Sequence, residues 1–267
     1  MPNANSVFKK IAHRGASGEA PENTIPAFEL AFQKYHCDMV EMDVRLTRDG
    51  MPVVFHDKTL ERITGQEGLV SQFSLREIKE FDAAYKFDPK GNGEFPFRGK
   101  GTTIPTLQEV LSHFPDSGFC VELKGRDKRI VHQTLEVLNR IPNKSRLIIG
   151  SFEGKIARLL RRICDQSFET FLTEDEIILA FTAFRLGLKK IPLPARQASL
   201  PMEKYRVRLD GVRWIEFLHR QGAHVFYWTV NDINEMKELI ARGADGILTD
   251  YPDKLGTISK SAGFNRS

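Results

Sequence analysis

Short runs of β-branched and aromatic residues alternate along the chain with longer segments in which apolar residues recur at helical spacing. The short runs have the length and composition of buried strands, and the longer segments each have one apolar face. The pattern predicts eight strands, at residues 8–13, 38–44, 118–124, 146–152, 168–173, 198–201, 223–230 and 245–249. It predicts helices at residues 24–35, 107–113, 129–140, 154–164, 174–185, 211–221 and 234–241.

Strands that alternate with helices indicate a parallel sheet covered by helices. For eight such strands in 267 residues, a closed TIM (β/α)8 barrel is the economical arrangement. An open doubly wound sheet is the alternative. The run HRGASG at residues 13–18 disfavours that alternative, because it lacks the G-x-G-x-x-G spacing of a dinucleotide-binding loop. We therefore predict an α/β fold in which residues 1–267 form a single barrel domain.

Residues that could cap helices support these boundaries. Residues 23–24, Thr106 and residues 231–232 stand at predicted helix starts. Their side chains can accept hydrogen bonds from the free backbone N–H groups of a first helical turn.

One segment departs from the alternation. Residues 58–103 contain clusters of Gly, Pro and Asp and one short helical pattern at 75–81. They follow an Asp-Gly reversal at residues 49–50 and an alternating run at 52–56. We predict that this segment is a small insertion after the second strand, at one end of the barrel.

The composition is that of an ordinary globular protein. Hydrophobic residues make up 41% of the chain and charged residues 28%, which excludes a disordered chain or a fibre. The longest nearly continuous apolar stretch, residues 177–184, is far shorter than the ~20 residues of a membrane-spanning helix. Residues 1–10 are polar and basic, so we expect no signal peptide.

Charge and cysteine content exclude further classes. The net charge is +4, and the basic runs at residues 155–162 and 185–196 have aliphatic residues between the charges, so we expect no nucleic-acid partner. Cys37, Cys120 and Cys164 are odd in number and far apart. This spacing argues against a disulfide framework or a structural zinc site, and we expect a cytoplasmic protein. The sequence does not indicate an oligomeric state.

Carboxylates fall at the ends of two predicted strands. Because side chains alternate along a strand, Glu41 and Asp43 share one face of the second strand, and Glu122 and Lys124 share one face of the third. The apolar face packs under helices, so these polar residues point into the barrel. Three inward carboxylates suit a hard divalent cation such as Mg²⁺ or Ca²⁺. The alternative is a set of salt bridges in which Lys124 or Arg45 neutralises the acids.

Two histidines stand at strand ends beside this cluster. His13 ends the first strand and is followed by Arg14, and His56 ends the alternating run. Such a pair can divide general-base and general-acid roles near neutral pH. Arg14 and Lys124 supply positive charge for an anionic group such as a phosphate. We expect surface positions for the other histidines: His36, His113, His132, His219 and His224.

These residues belong to a series of short motifs that spans almost the whole chain. The motifs are IAHRG at residues 11–15, PENT at 21–24, EMDV at 41–44, DG at 49–50, FHD at 55–57, IPTL at 104–107, ELK at 122–124, WTVN at 228–231 and GILTD at 246–250. The series resembles the glycerophosphodiester phosphodiesterase family.

The resemblance implies a metal-dependent TIM barrel with a small inserted region. Its small-molecule substrates would be glycerophosphodiesters, hydrolysed to glycerol 3-phosphate and an alcohol. By position, the resemblance implies one divalent cation held by Glu41, Asp43 and Glu122. It implies an acid–base pair of His13 and His56, and substrate binding by Arg14, Lys124 and Trp228.

Three other readings stay open at this point. The apolar and basic stretch at residues 176–194 is either an ordinary amphipathic helix or a wall that admits a lysophospholipid or touches an anionic membrane. The latter predicts a lysophospholipase D-type activity, and no activity on acylated substrates would remove it. A non-catalytic phosphodiester-binding relative is the second alternative. A phospholipase C or D of the phosphatidylinositol or sphingomyelin type is the third, disfavoured because such enzymes are expected to be secreted.

Overall fold

Eight parallel strands form a nearly closed barrel in the computed structural model, which describes residues 8–261. The strands of the described range are β1 (Lys9–His13), β2 (Met39–Leu46), β3 (Pro52–Val54), β4 (Gly118–Leu123), β5 (Leu147–Gly150), β6 (Glu169–Thr170), β7 (Gln197–Leu200), β8 (Glu203–Lys204), β9 (Val207–Arg208), β10 (His224–Tyr227) and β11 (Gly246–Thr249). Around the barrel they run in the order β6-β5-β4-β2-β1-β11-β10-β7. The predicted TIM barrel is confirmed.

Two backbone contacts join β6 to β7, the first and last strands of this order. A parallel bridge joins Phe171, just after β6, to Gln197 at the start of β7. The backbone N–H of Leu172 also donates to the Gln197 carbonyl over 2.8 Å. Neighbouring strands elsewhere in the ring pair in parallel. Their carboxyl ends therefore meet at one rim, where active sites of such barrels lie.

Helices cover the outside of the barrel. They are α1 (Ile25–Glu29), α2 (Glu61–Thr64), α3 (Leu75–Ile78), α4 (Leu107–His113), α5 (Arg129–Leu138), α6 (Gly154–Ile163), α7 (Glu174–Arg185), α8 (Val212–Arg220), α9 (Ile233–Ala241) and α10 (Pro252–Ser261). The α1 helix continues as a π-helical turn, Leu30–Lys34, and short 3₁₀ turns cover Val70–Gln72 and Lys144–Arg146. In the described part of the chain, every helix is too short or too polar to cross a membrane.

The side chains of β2 alternate as the sequence predicts. Val40, Met42 and Val44 join a large core cluster with residues of the surrounding helices, including Val131 of α5. On the other face, Met39 belongs to an apolar cluster inside the barrel. Glu41 and Asp43 follow Met39 on the same inner face. They therefore lie nearer the rim than this apolar cluster.

One predicted cap is wrong. Thr24 is the N-cap residue of α1, but its side chain accepts no capping hydrogen bond and instead donates to the Pro21 carbonyl over 2.6 Å. The side-chain amide of Asn23 donates to the carboxylate of Asp43 on β2. The caps at Thr106 and Asp232 are confirmed, since each side chain accepts from backbone N–H groups of its helix.

The segment at residues 58–103 carries α2, α3 and little other regular structure. It follows β3, which pairs antiparallel with β2 as the Asp-Gly reversal predicts. Its apolar residues form a separate small cluster with the end of β3, which includes Leu60, Val70 and Ile78. That this segment is an insertion, and that residues 1–267 form one domain, stay predictions.

Asp245 ties together three elements at the end of the barrel opposite the strand carboxyl ends. Its Oδ2 lies 2.8 Å from Nε2 of His219 on α8 and accepts the Val225 N–H of β10 over 2.7 Å. Burial alone would raise the pKa of Asp245, but its bonds to His219 and His224 outweigh burial and hold the pKa well below the ordinary value. The same interaction raises the pKa of His224. These two histidines are therefore partly buried members of an ion-pair network, whereas surface positions were predicted.

We expect Asp245→Asn to lower the free energy of unfolding by about 1.5–3 kcal/mol, because charged hydrogen bonds of a nearly buried carboxylate are lost. A depressed carboxyl pKa stabilises the fold above the unfolded pKa, and a raised histidine pKa stabilises it below the unfolded value. The difference from wild type should therefore be largest between about pH 4 and about pH 6.5 and shrink on both sides. Denaturant unfolding at several pH values measures it. Asp116→Asn, at a side chain that is 92% exposed, is the control and should change little. Equal effects of the two variants would contradict the assignment.

Candidate active site

Three carboxylates meet at the rim where β2 and β4 lie side by side. Glu41 and Asp43 come from β2 and Glu122 from β4, and the register places Asp43 directly opposite Glu122. One oxygen from each of the three residues can be chosen so that all lie within 4.8 Å of one another. Glu41 and Asp43 are only 5% and 1% exposed. The cluster predicted from strand alternation is thus present and buried.

Two cations contact these acids. Nζ of Lys124 lies 2.7 Å from Glu122 and 3.2 Å from Asp43. Nε of Arg14 lies 3.3 Å from Asp43, while its Nη1 donates to Glu22 over 2.9 Å. Lys124 therefore neutralises part of the cluster, as one alternative from the sequence proposed. The other proposed cation, Arg45, donates instead to the backbone carbonyl of His56 over 2.8 Å and so helps to position that residue.

The remaining negative charge perturbs the carboxyl pKa values. Burial, reinforced by the neighbouring Asp43, raises the pKa of Glu41 well above its ordinary value. Burial also raises the pKa of Glu122, although Lys124 opposes the rise. For Asp43 burial is outweighed by Lys124 and Arg14, and the pKa falls. Two buried acids and one partly buried acid, with two cations, therefore favour one further positive charge nearby.

The donor set fits a hard divalent cation. All three grouped side chains offer carboxylate oxygens, which are the ligands of Mg²⁺ and Ca²⁺. The nearest thiol, Cys120, is buried beside them, and burial together with the charge of Glu41 raises its pKa well above the ordinary value. The group of possible ligands contains three carboxylates and no thiol, so a soft metal is disfavoured. These residues could hold a magnesium or calcium ion, and its identity stays open.

Each of the two predicted catalytic histidines is backed by a carboxylate. Nδ1 of His13 lies 2.7 Å from Asp250, and Nδ1 of His56 lies 2.7 Å from Asp57. Because an ionised carboxylate only accepts, each Nδ1 carries the proton, and each Nε2 remains available for proton transfer. Nε2 of His13 is 3.9 Å from Glu41, which places that nitrogen beside the carboxylate cluster.

The two backing carboxylates are held in the ionised form. Burial would raise the pKa of Asp250, but hydrogen bonds from His13, Asn231 and Ser17 lower it to about 2. For Asp57 the bond from Arg62 and then the bond from His56 outweigh burial, and the pKa is also about 2. Burial lowers the pKa of His56 itself, partly offset by the charge of Asp43.

Asp57 and Asp250 were not assigned roles from the sequence. Both stand inside the motifs FHD and GILTD, so the signal was present, but nothing local shows that Asp250 reaches a histidine 237 positions away. Glu22 and Arg62 were missed as well. Arg62 donates to Glu22 over 2.7 Å and 2.8 Å and also contacts Asp57, which links the segment at residues 58–103 to the site.

Asn23 is a further residue whose role was misread. Its backbone is left-handed, with φ of 57°, and its side chain is buried. Nδ2 donates to Asp43 Oδ2 over 2.9 Å, and Oδ1 accepts the Asp43 N–H over 3.3 Å. Asn23 therefore orients a carboxylate of the cluster rather than capping a helix.

The residues singled out from the sequence all line one cavity of about 170 Å³, which we call the catalytic pocket. They are His13, Arg14, Glu41, Asp43, His56, Glu122, Lys124 and Trp228. The ring of Trp228 packs against Phe152 with centroids 5.8 Å apart. Its indole N–H is buried and has no hydrogen-bond partner within the described residues, so it can donate to a bound molecule.

Comparisons with known proteins show which family the chain belongs to. The family model described as "Glycerophosphoryl diester phosphodiesterase family" matches residues 13–254. A glycerophosphodiester phosphodiesterase of Caldanaerobacter subterraneus subsp. tengcongensis is 33% identical, over 95% of this chain and 98% of that protein. Human lysophospholipase D GDPD1 is 26% identical, over 93% of this chain and 85% of that protein.

A solved structure gives the same result for the fold. The phosphodiesterase OLEI02445 of Oleispira antarctica, determined in complex with the product sn-glycerol-3-phosphate, superposes with a TM-score of 0.76 and 27% identity. The match covers 95% of this chain and 97% of that structure. With the family model matched from the first barrel strand to the last helix, the chain belongs to the glycerophosphoryl diester phosphodiesterase family.

Proposed function

We propose that this phosphodiesterase hydrolyses glycerophosphodiesters to glycerol 3-phosphate and an alcohol, with one bound divalent cation and two histidines that transfer protons. The observation that carries the proposal is the convergence of three clustered carboxylates, two cations and two carboxylate-backed histidines on one pocket. Those groups match the needs of phosphodiester cleavage: charge stabilisation at phosphorus, a base for the nucleophile and an acid for the leaving group.

Glu41, Asp43 and Glu122 would hold the cation. When bound, a divalent cation polarises a phosphoryl oxygen as a Lewis acid and offsets charge that develops in the transition state. Lys124 and Arg14 line the same pocket and would place fixed positive charge beside the phosphate. Mg²⁺ and Ca²⁺ both suit this donor set, and we propose one ion of either kind.

His13 and His56 would exchange protons through Nε2. One of them takes a proton from the nucleophile, which is water or the 2-hydroxyl of the substrate glycerol, and the other protonates the leaving alcohol. Asp250 and Asp57 hold the two rings in one tautomer and stabilise each imidazolium as it forms. The free indole N–H of Trp228 would donate to the substrate at the same pocket.

Lysophospholipids are a second candidate substrate class. The human relative carries the name lysophospholipase D, and in this chain an apolar cavity of about 500 Å³ adjoins the catalytic pocket. Cleavage at the same phosphodiester would leave the phosphate on the acylated glycerol.

We also propose that the chain is a single barrel domain in the cytoplasm. The match to one family model over residues 13–254 supports a single domain. The odd number of cysteines supports a reducing compartment.

Chelation tests the role of the cation. We expect EDTA to abolish release of choline from glycerophosphocholine and added Mg²⁺ or Ca²⁺ to restore it. Glu41→Gln should lose both restored activity and the rise in melting temperature that the ion gives wild type, since one ligand charge is removed. Glu136→Gln, an exposed acid on α5, is the matched control. Full wild-type activity in EDTA would contradict metal dependence.

Alanine variants test the histidines. His13→Ala and His56→Ala should each lower kcat by at least about 10²-fold, because a proton-transfer group is lost. His132→Ala, on the exposed face of α5, should leave kcat unchanged. Turnover near the wild-type value in either of the first two variants would remove that residue from the acid–base pair.

Asp250→Asn tests whether Asp250 fixes the tautomer of His13. An amide oxygen no longer stabilises the imidazolium of His13, so kcat should fall by about 10–10²-fold with the protein still folded. Nitrogen-15 NMR of the imidazole should show the proton on Nδ1 in wild type and a mixture of tautomers in the variant. An unchanged ring spectrum together with unchanged kcat would show that Asp250 does not position His13.

A further inference from the structure

The cavity beside the catalytic pocket lies between helix α7 and the hairpin formed by β8 and β9. We call it the α7–hairpin cavity. Its volume of about 500 Å³ falls within the range of about 300–1,000 Å³ found for ligand sites. The two cavities adjoin, since they share five lining residues: Glu122, Lys124, Phe152, Ser199 and Trp228.

The interior of the cavity is apolar. Helix α7 contributes Ile177, Ile178 and Phe181, and the hairpin side contributes Val207 and Leu209. The charged groups of the lining stand in two ion pairs. Glu122 and Lys124 pair over 2.7 Å at the catalytic end, and Glu174 and Lys204 pair over 2.7 Å between the helix and the hairpin. The lining between these two ion pairs is largely apolar.

Several contacts within the chain hold the hairpin beside α7. Besides the Lys204 pair, the hydroxyl of Tyr205 donates to Glu174 over 3.1 Å, and the Leu209 N–H donates to the Met202 carbonyl over 2.8 Å. A preformed apolar cavity binds an apolar group without the cost of ordering a loop.

Apolar side chains remain exposed around this cavity. Ile178 is 50% exposed and Val207 is 39% exposed, and both line it. Tyr205, at the tip of the hairpin and also in the lining, is 78% exposed. A ligand bound in the cavity would cover these side chains.

The opposite side of the catalytic pocket is charged. There His56 contacts Asp57, which is paired with Arg62, and Arg62 in turn binds Glu22. In the barrel order, His13 and the carboxylate ligands belong to β1, β2 and β4, whereas the α7–hairpin cavity stands over the half that contains β6 and β7. A phosphodiester bound in the catalytic pocket would therefore have one substituent on the apolar side, toward the α7–hairpin cavity. Its other substituent would lie on the polar side, toward His56.

We propose that the α7–hairpin cavity binds the single acyl chain of a lysophospholipid, with the glycerol beside Trp228 and the headgroup alcohol on the side of His56. This inference rests on the proposed function. In the net reaction, the oxygen of water bonds to phosphorus and the bond from phosphorus to the headgroup oxygen breaks. The headgroup leaves as the alcohol with a proton, and the phosphate stays on the acylglycerol. One apolar half accommodates one chain, so diacyl phospholipids are poor substrates.

Two matched substrate series test the subsite and its orientation. In the first, lysophosphatidylcholines carry hexanoyl, octanoyl, decanoyl or dodecanoyl chains, each kept below its micelle concentration, with glycerophosphocholine as the unacylated reference. In the second, the same number of carbons sits on the alcohol side, as glycerophospho-alkanols. We expect kcat/KM to rise by up to about fourfold per methylene in the first series, from about 0.8 kcal/mol per buried methylene, and then to reach a plateau as the cavity fills.

Substitutions at neighbouring residues distinguish an effect on the cavity lining from an effect on the helix surface. Ile178→Asp places a charge in the lining and should reduce the ratio of octanoyl to unacylated kcat/KM by at least about tenfold. Leu179→Asp is the control, since Leu179 is 69% exposed on the same helix and does not line the cavity. Val207→Trp, which fills the cavity, should move the plateau to shorter chains, and Val212→Trp, outside the lining, should not.

The outcomes are distinct. A rise in the first series that Ile178→Asp removes and Leu179→Asp retains supports the subsite. Hydrolysis of glycerophosphocholine with kcat/KM independent of acyl length overturns the subsite and leaves the proposed function standing. A rise confined to the alkanol series overturns the orientation, and efficient cleavage of diacyl phospholipid overturns the single-chain assignment. Failure to hydrolyse any diester with either metal overturns the proposed function itself.

Discussion

The balance of charge inside the barrel rim is the constraint on which the rest of this molecule depends. Glu41, Asp43 and Glu122 are brought together by strand register, and buried like charges repel strongly unless cations stand among them. Lys124 and Arg14 supply two cations for these three acids, and burial raises the pKa values of Glu41 and Glu122. The protein therefore maintains a local deficit of positive charge at the point where a metal and a phosphate would meet.

The surroundings of that cluster divide into regions with different physical tasks. The rim between β1 and β4 is polar, and each histidine there has its own carboxylate. The region between α7 and the hairpin is apolar, with its charges paired. The far end of the barrel, around Asp245, holds partly buried ion pairs whose residues do not line the pocket. Stability and chemistry are thus placed at opposite ends of the same strands, as is general for this fold.

Sequence reasoning succeeded where the determining signal is local and periodic. Alternation along β2 was enough to place Glu41 and Asp43 on the inner face, and the order of strands and helices was enough to predict a barrel. It failed where a side chain bonds to a residue far away in the sequence. Asn is a residue type that often caps helices, but the side chain of Asn23 bonds to Asp43. Strands β8 and β9 have two residues each and are too short to give a hydrophobic pattern. The cavity wall that they form follows from tertiary packing alone.

The segment at residues 58–103 has a consequence for how such an enzyme diversifies. It packs around its own apolar cluster, and Arg62 links it to the catalytic pocket through Glu22 and Asp57. Its tip, around Gly91 and Gly93, is exposed and meets no neighbouring atoms that a larger side chain would displace. Exposed loops of this kind accept insertions and deletions readily, whereas the strand residues beneath them do not. Sequence changes can therefore accumulate in this segment while the register of β2 and β4, which brings the carboxylates together, stays intact. Substrate range can then evolve faster than reaction chemistry.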